Sequence, residues 1–362
     1  MPYQQSFNHR VHPTPSSFNQ NSHINFKPEI VIFLYEKLSS NSSKMGEGQE
    51  KLHVAMYPWF AMGHMTPFLN LANKLAQRGH KVSFFLPPKA YLKLAHLNLY
   101  PDLISFTTVT VPTVDGLPVG ANTTADIPVS ARFLLLDSYD LTQPSIRASL
   151  AQLKPDIVFY DFAHWLPGLA RENKARSVFF SIAYTSSLAY MFHGLQPGLK
   201  QASLGFPSQA FCLRAHEARG LTQARQPIMS VSNMTFPKRI YKSIAESDAV
   251  CFKSCKEMEG PFGDYFEKHY QKPVLWAGPI LPELPTSEGL VEKLDGWLKR
   301  FEEGLVVYCA LGSESVLSKE QFQELVLGLE LTGMFVMHMH HYKVLTKVAL
   351  HIFVLVRFSF YF

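Results

Sequence analysis

The sequence predicts an α/β protein of two doubly wound, Rossmann-like domains, the second incomplete, and three observations carry that reading. Runs at 52–57 (LHVAMY), 81–86 (KVSFFL), 156–161 (DIVFYD) and 177–182 (SVFFSI) are almost wholly apolar, as expected of strands covered on both faces in a parallel sheet. Helical text separates them, and that alternation implies right-handed βαβ crossovers. The same opening, a strand then a glycine loop then a helix, returns at 304–333. The length of 362 residues suits two domains at about 100–200 residues each.

In chain order, strand 52–57 leads through the loop PWFAMGHM to Thr66 and Pro67, an N-cap and first-turn pair. Phe68, Leu69, Leu71, Ala72, Leu75 and Ala76 supply the helix's apolar face, and Gly79 ends it before strand 81–86. The segment 103–112 alternates and stops at Pro112. Strand 156–161 runs into Asp161, with helical text through Asn173, and strand 177–182 precedes a helix from Thr185. Strands at 248–252 and 272–279 flank a helix near 260–270, and 184–240 reads as helices and loops over a cleft. Pro279, Pro282 and Pro285 stiffen a linker at 279–303, which holds a short helix near 294–301. In the second domain Ser318 with Gln321 forms a capping box, and Phe322, Leu325, Val326 and Leu329 share one helix face.

The ends differ from this body. Residues 1–44 are rich in Asn, Ser, Gln and Pro and read as a disordered leader, a targeting segment or sequence upstream of the true start; Met45 is a natural beginning. No small-residue cleavage site follows the apolar run at 30–34, and a single Arg in the first 44 residues argues against a plastid transit peptide. Residues 336–362 contain no Gly, Pro, Asp, Glu or Asn, so they lack turn residues and form a β-prone hydrophobic tail. Arg357 interrupts its last apolar run, and no membrane span is expected. The domain reading is therefore leader 1–44, first domain 45–278, linker 279–303, second-domain start 304–335 and tail 336–362.

Composition narrows the function. With 47% apolar and 17% charged residues the chain is not disordered as a whole, and four cysteines are too sparse for a disulfide framework. A net charge of +5 without a basic block gives no nucleic-acid signal. Cys251 and Cys255 lack a second pair, and His338, His340 and His341 lack a carboxylate or thiol beside them, so no metal is expected. Reduced thiols and no signal peptide point to the cytoplasm.

The crevice beyond the carboxyl ends of parallel strands is the usual site in such a fold. His64 falls there, in the loop after the first strand, and Asp161 ends another strand. A histidine oriented by a carboxylate is a competent base for a hydroxyl, whose proton must leave before it attacks. The alternatives are a loop histidine that only hydrogen-bonds and an aspartate that caps the next helix. Gly312 and Ser313 end the first strand of the second domain, where amides and a hydroxyl either meet a phosphate or make a plain turn. Thr66 either faces the cleft at a positive helix end or only caps it. His164 and Trp165, after Asp161, either line an acceptor pocket or serve structure.

Five stretches then resemble one family: 53–90 (HVAMYPWFAMGHMTPFLNLANKLAQRGHKVSFFLPPKA), 155–170 (PDIVFYDFAHWLPGLA), 231–237 (VSNMTFP), 272–283 (KPVLWAGPILPE) and 306–333 (VVYCALGSESVLSKEQFQELVLGLELTG). They are similar to plant family-1 UDP-dependent glycosyltransferases, in the branch that adds a sugar to flavonoid or anthocyanidin 3-O-glucosides. The resemblance covers about 51–335 and implies the GT-B type of fold, with acceptor held by the first domain and UDP-sugar by the second. It implies an inverting transfer to an acceptor hydroxyl with His64 as catalytic base, Asp161 as its acid partner, Gly312, Ser313 and Thr66 toward the donor, and Gly63, His164 and Trp165 toward the acceptor. It implies no metal or cofactor beyond UDP-sugar as donor substrate, a flavonoid glycoside or related phenolic as the other partner, and a monomer. The family's donor box, expected after the point where the chain becomes VMHMHHYKV, is missing. The expectation is a chain truncated before that box, with impaired UDP-sugar binding and transfer, or a non-catalytic flavonoid- or partner-binding remnant. A nicotinamide dehydrogenase is excluded because no G-x-G-x-x-G follows the first strand.

Overall fold

A computed structural model describes residues 51–191, 205–208, 210, 214, 234–278, 280, 288–310, 317–332, 335–341 and 350–355. The leader 1–44, Cys212, the three linker prolines, and Gly312 and Ser313 lie outside the described residues. So does most of the cleft segment 184–240.

The chain opens with β1 (His53–Tyr57), α1 (Met62–Ala76), β2 (Lys81–Leu86), α2 (Pro88–Leu94) and β3 (Ile104–Thr108). It continues through α3 (Arg132–Asp140), α4 (Gln143–Leu153), β4 (Ile157–Tyr160), α5 (Leu166–Glu172), β5 (Arg176–Ser181) and α6 (Thr185–Ala189). After α7 (Phe236–Glu246) come β6 (Ala249–Phe252), α8 (Lys256–Tyr270) and β7 (Val274–Trp276). These seven strands form one sheet in the order β3-β2-β1-β4-β5-β6-β7, and every pairing in it is parallel. The apolar runs make strands because helices cover both faces: all four residues of β4 and of β6 are buried.

The order reverses between β1 and β4. From β1 the chain winds outward through β2 and β3, then returns to β4 beside β1 and winds the other way. Loops leaving the carboxyl ends of β1 and β4 therefore part in opposite directions and leave a crevice between them. Under it lies an aromatic cluster. Tyr57 stacks on Tyr139 with ring centroids 4.8 Å apart, Phe60 meets Tyr139 edge-on at 4.9 Å, and the Tyr57 hydroxyl bonds Thr142 at 2.6 Å. Each fully buried ring contributes about 1.5–3 kcal/mol of burial, so the loop after β1 is pinned from below.

Several elements differ from their sequence expectation. Helix α1 starts at Met62, so Thr66 is its fifth residue and not its cap, and His64 lies in its first turn rather than in the loop before it. The extended Ala61 supplies the carbonyl that accepts from both His64 N and Met65 N at 2.9 Å, and no side chain caps the end. Pro67 is thus carried inside the helix. The alternating segment 103–112 pairs as a strand only to Thr108. The linker helix runs earlier than expected, as α9 (Glu288–Leu298).

A second sheet joins β8 (Val306–Ala310), β9 (Phe335–His341) and β10 (Leu350–Leu355) in the order β10-β9-β8. The β8–β9 pair is parallel and the β9–β10 pair antiparallel. Between β8 and β9, α10 (Lys319–Glu330) begins with the expected capping box of Ser318 and Gln321. Its expected apolar face is only partly covered: no residue of α10 is buried. Among the described residues no helix is long and apolar enough to cross a membrane.

Candidate active site

Because β1 and β4 are hydrogen-bonded neighbours with Tyr57 opposite Tyr160, the residues just past their ends must meet. Asp161 follows Tyr160 directly, and His64 sits in the first turn of α1. The His64 Nδ1 lies 2.7 Å from Asp161 Oδ2, across 97 residues of sequence. An ionised carboxylate only accepts, so Nδ1 carries the proton and donates it, which leaves the lone pair on Nε2. Among the described residues Nε2 has no hydrogen-bond partner. The His64 side chain is 19% exposed and that of Asp161 only 3%, so the base edge reaches the crevice while its orienting acid stays covered. The His64 ring also rests edge-on against Phe162 at 5.0 Å.

Asp161 is itself held. Its Oδ1 accepts from Trp59 N at 2.8 Å and from Phe162 N at 2.6 Å. One oxygen therefore ties the loop after β1 to the loop after β4, and the other faces His64. This is an arrangement for taking a proton from a hydroxyl at Nε2 and stabilising the imidazolium that results.

Behind the pair lies a second polar cluster. The Arg239 side chain, on α7, is fully buried and grips Asp140, the last residue of α3, through two bonds of 2.7 and 2.5 Å. The same Nη1 lies 3.2 Å from the Phe162 carbonyl and 3.0 Å from His164 Nδ1. Trp165 Nε1 donates to Asp140 Oδ1 at 3.0 Å, and its ring tilts against Tyr57 at 5.8 Å. Burial, then the charge of Arg239, lower the His164 pKa from 6.5 to about 4, with Asp140 opposing. His164 is therefore neutral, with Nδ1 accepting and the proton on Nε2.

The expected residues thus fall in different places. His64 and Asp161 come together. Gly63 is exposed in the first turn of α1, with open space where a side chain would stand, and Thr66 is partly covered one turn further along. His164 and Trp165 have polar atoms already engaged by Arg239 and Asp140. Arg239 and Asp140 carry no motif, although one signal existed. The buried face of α7 consists of Arg239, Ile240, Ser243 and Ile244, and a cation on that stripe implies a buried counter-ion. Nothing in the sequence says where the counter-ion lies, 99 residues away. Among the described residues no cluster of three or more His, Cys, Asp or Glu could hold a metal, and Cys251, Cys255 and Cys309 are free thiols.

No family model matches the chain. It is 46% identical over 304 residues to an anthocyanidin 3-O-glucoside 2''-O-glucosyltransferase of Ipomoea nil, a span covering 80% of this chain and 65% of that one. It is 47% identical over 296 residues to a cyanidin 3-O-galactoside 2''-O-xylosyltransferase of Actinidia chinensis var. chinensis, covering 79% of this chain and 64% of that one. The chain therefore spans a little under two thirds of the length of these relatives. Among solved structures it superposes on that of Arabidopsis thaliana UGT89C1 with a TM-score of 0.63 at 20% identity, covering 81% of this chain and 65% of that one. At that identity the match shows the fold alone. The same protein has also been solved with quercetin, with UDP and with UDP-L-rhamnose.

Proposed function

Plant UDP-glycosyltransferases are the close homologues of this chain, and on that premise we propose that it serves sugar transfer from a UDP-sugar to a hydroxyl of a flavonoid or anthocyanidin glycoside. The observation that carries the reading is the 2.7 Å contact of His64 Nδ1 with Asp161 Oδ2, which leaves Nε2 as a base facing the crevice. The acceptor hydroxyl gives its proton to Nε2 as its oxygen bonds the anomeric carbon. The bond from that carbon to the phosphate oxygen breaks, UDP leaves with the electron pair, and the configuration inverts. Asp161 steadies the imidazolium formed. Holding oxygen, base and sugar in line supplies most of the rate, as in any positioned displacement. No metal takes part in this reading.

The names of the relatives favour an acceptor that already bears one sugar, and the protein acts as a monomer in the cytoplasm. Gly312 and Ser313 remain the proposed donor-side contacts.

Incubation with UDP-glucose and an anthocyanidin 3-O-glucoside tests the reading. Transfer is expected to be impaired but measurable, and His64→Ala should lower it further, by about 10²–10⁴-fold. Full transfer by His64→Ala would overturn the role of His64. A second reading, a flavonoid-binding module without turnover, is favoured by the location of the pair. His64 and Asp161 both stand just past the carboxyl ends of strands of the seven-stranded sheet, so that layer can serve an acceptor by itself. Calorimetry separates the two: UDP-glucose binding with turnover carries the transferase, and acceptor binding with neither carries the module.

A further inference from the structure

The end of α3 and the loop after β4 converge on one guanidinium. The Arg239 fork fastens Asp140 at the end of α3, the Phe162 carbonyl and His164 Nδ1, and Asp140 in turn takes the Trp165 indole N–H. Phe162, His164 and Trp165 all belong to the five-residue loop that begins with Asp161. The Phe162 peptide is held from both sides: its N–H donates to Asp161 Oδ1 and its carbonyl faces Arg239. That carbonyl also accepts from His164 N at 2.9 Å, which closes a tight turn.

We propose that Arg239 is the positioning residue of the His64–Asp161 pair, acting through the Phe162 peptide to hold Asp161 Oδ2 in line with His64 Nδ1. This inference deepens the proposed role of His64 and rests on it for its consequence in catalysis, but not for its geometry.

The physical case is one of rigidity. A carboxylate at the end of a strand, on a loop, would swing about its own side-chain torsions unless its peptide neighbours were fixed. Trp59 N and Phe162 N fix Oδ1 only as well as the two loops are fixed. The aromatic cluster under Tyr57 secures the first loop. For the second, Ala163 and the rings of Phe162 and Trp165 pack into the core, while the polar ties of 162–165 beyond Asp161 run to Arg239 and Asp140. A lysine at 239 would keep the charge but is a single centre, and it could not hold both Asp140 oxygens as the fork does while also reaching Phe162 and His164. Displacement of a reacting group by about 1 Å costs on the order of 100-fold in rate, so a partial loosening has a measurable effect.

The test is the ring nitrogen spectrum of His64 in the full chain labelled with ¹⁵N-histidine. The wild-type protein should show Nδ1 protonated and Nε2 bare. In Arg239→Lys the signals should move toward the mixed-tautomer pattern of an unrestrained histidine. The transfer assay should show kcat reduced by about tenfold with KM changed less than about twofold. Arg147→Lys, which breaks an exposed fork onto Glu172, should leave the His64 spectrum unmoved. An unchanged His64 spectrum in Arg239→Lys overturns the proposal. If that variant does not fold, Trp165→Phe decides, because it removes one bond to Asp140 and keeps the ring. A smaller shift in the same direction supports the proposal, and none overturns it. The spectrum needs no turnover, so failure here is distinct from failure of the transferase reading.

Discussion

His164 accepts a hydrogen bond at Nδ1 from the buried Arg239, whereas His64 donates from the same ring position to Asp161. The two imidazoles follow neighbouring strands yet hold opposite tautomers, because one faces a cation and the other an anion. The consequence for His164 is measurable. Its pKa is about 4 in the folded protein against an ordinary 6.5, so between those values the unfolded chain binds a proton that the folded chain refuses. Stability therefore falls as pH drops from about 6.5 to about 4 and is flat above that window, by about 2–3 kcal/mol from this group. His164→Asn keeps an acceptor for Arg239 and has nothing to titrate. Denaturant unfolding of the two proteins at pH 7 and pH 4.5 should show a smaller acid loss in the variant; equal losses would rule out this origin. At this scale the sequence was half legible. Residue type and strand-end position marked His64 and Asp161 as candidates with bland alternatives beside them, the resemblance assigned their roles, and the structure adds their contact. The pair Arg239–Asp140 was hidden, because a contact across 99 residues leaves no period in the text.

Among the elements, α8 and β7 meet where the packing leaves no slack. A methyl group at Gly263 would stand 2.2 Å from the indole of Trp276, the last residue of β7. The indole is rigid and packed against Phe252 at 6.0 Å, so it cannot step aside as a flexible chain end would. Gly263→Ala should cost about 1–3 kcal/mol by overpacking, read as a lower urea midpoint with an unchanged slope. A midpoint within error of the wild type would mean that the indole has room to move. The need for Gly263 could not be read from its neighbours, which are helix-compatible. The strands were legible for the opposite reason: burial on both faces forces an apolar run, and β2 falls on the six residues expected. Helix α1 was misread by one turn at its start. Sequence rules look for a capping side chain, and here the Ala61 carbonyl and the Asp161 bond to Trp59 N set the loop's path instead.

At the scale of the whole molecule the apolar burial is unevenly shared, and that sets where the protein opens first. Helix α1 contributes nine buried residues against the seven-stranded sheet, and β1 lies inside that sheet with strands on both sides. Helix α10 contributes none: its Leu327 is 53% exposed and the following Leu331 89%. The capping box at Ser318 stabilises its first turn by about 1 kcal/mol, but a twelve-residue helix without a buried face is marginal in water. Amides open locally at free energies that follow buried contacts, up to the global value in the core. Hydrogen exchange on the full chain should therefore find β1, β4 and β5 exchanging only through global unfolding, with α10 at least about 100-fold faster. The order also bears on function. The His64–Asp161 pair stands on the slow-exchanging sheet, so its geometry should persist while the segment around α10 opens and closes. Equal protection in α10 and β1 would show that α10 is held more firmly than its exposed face allows, and the His64–Asp161 pair would then share one cooperative unit with it.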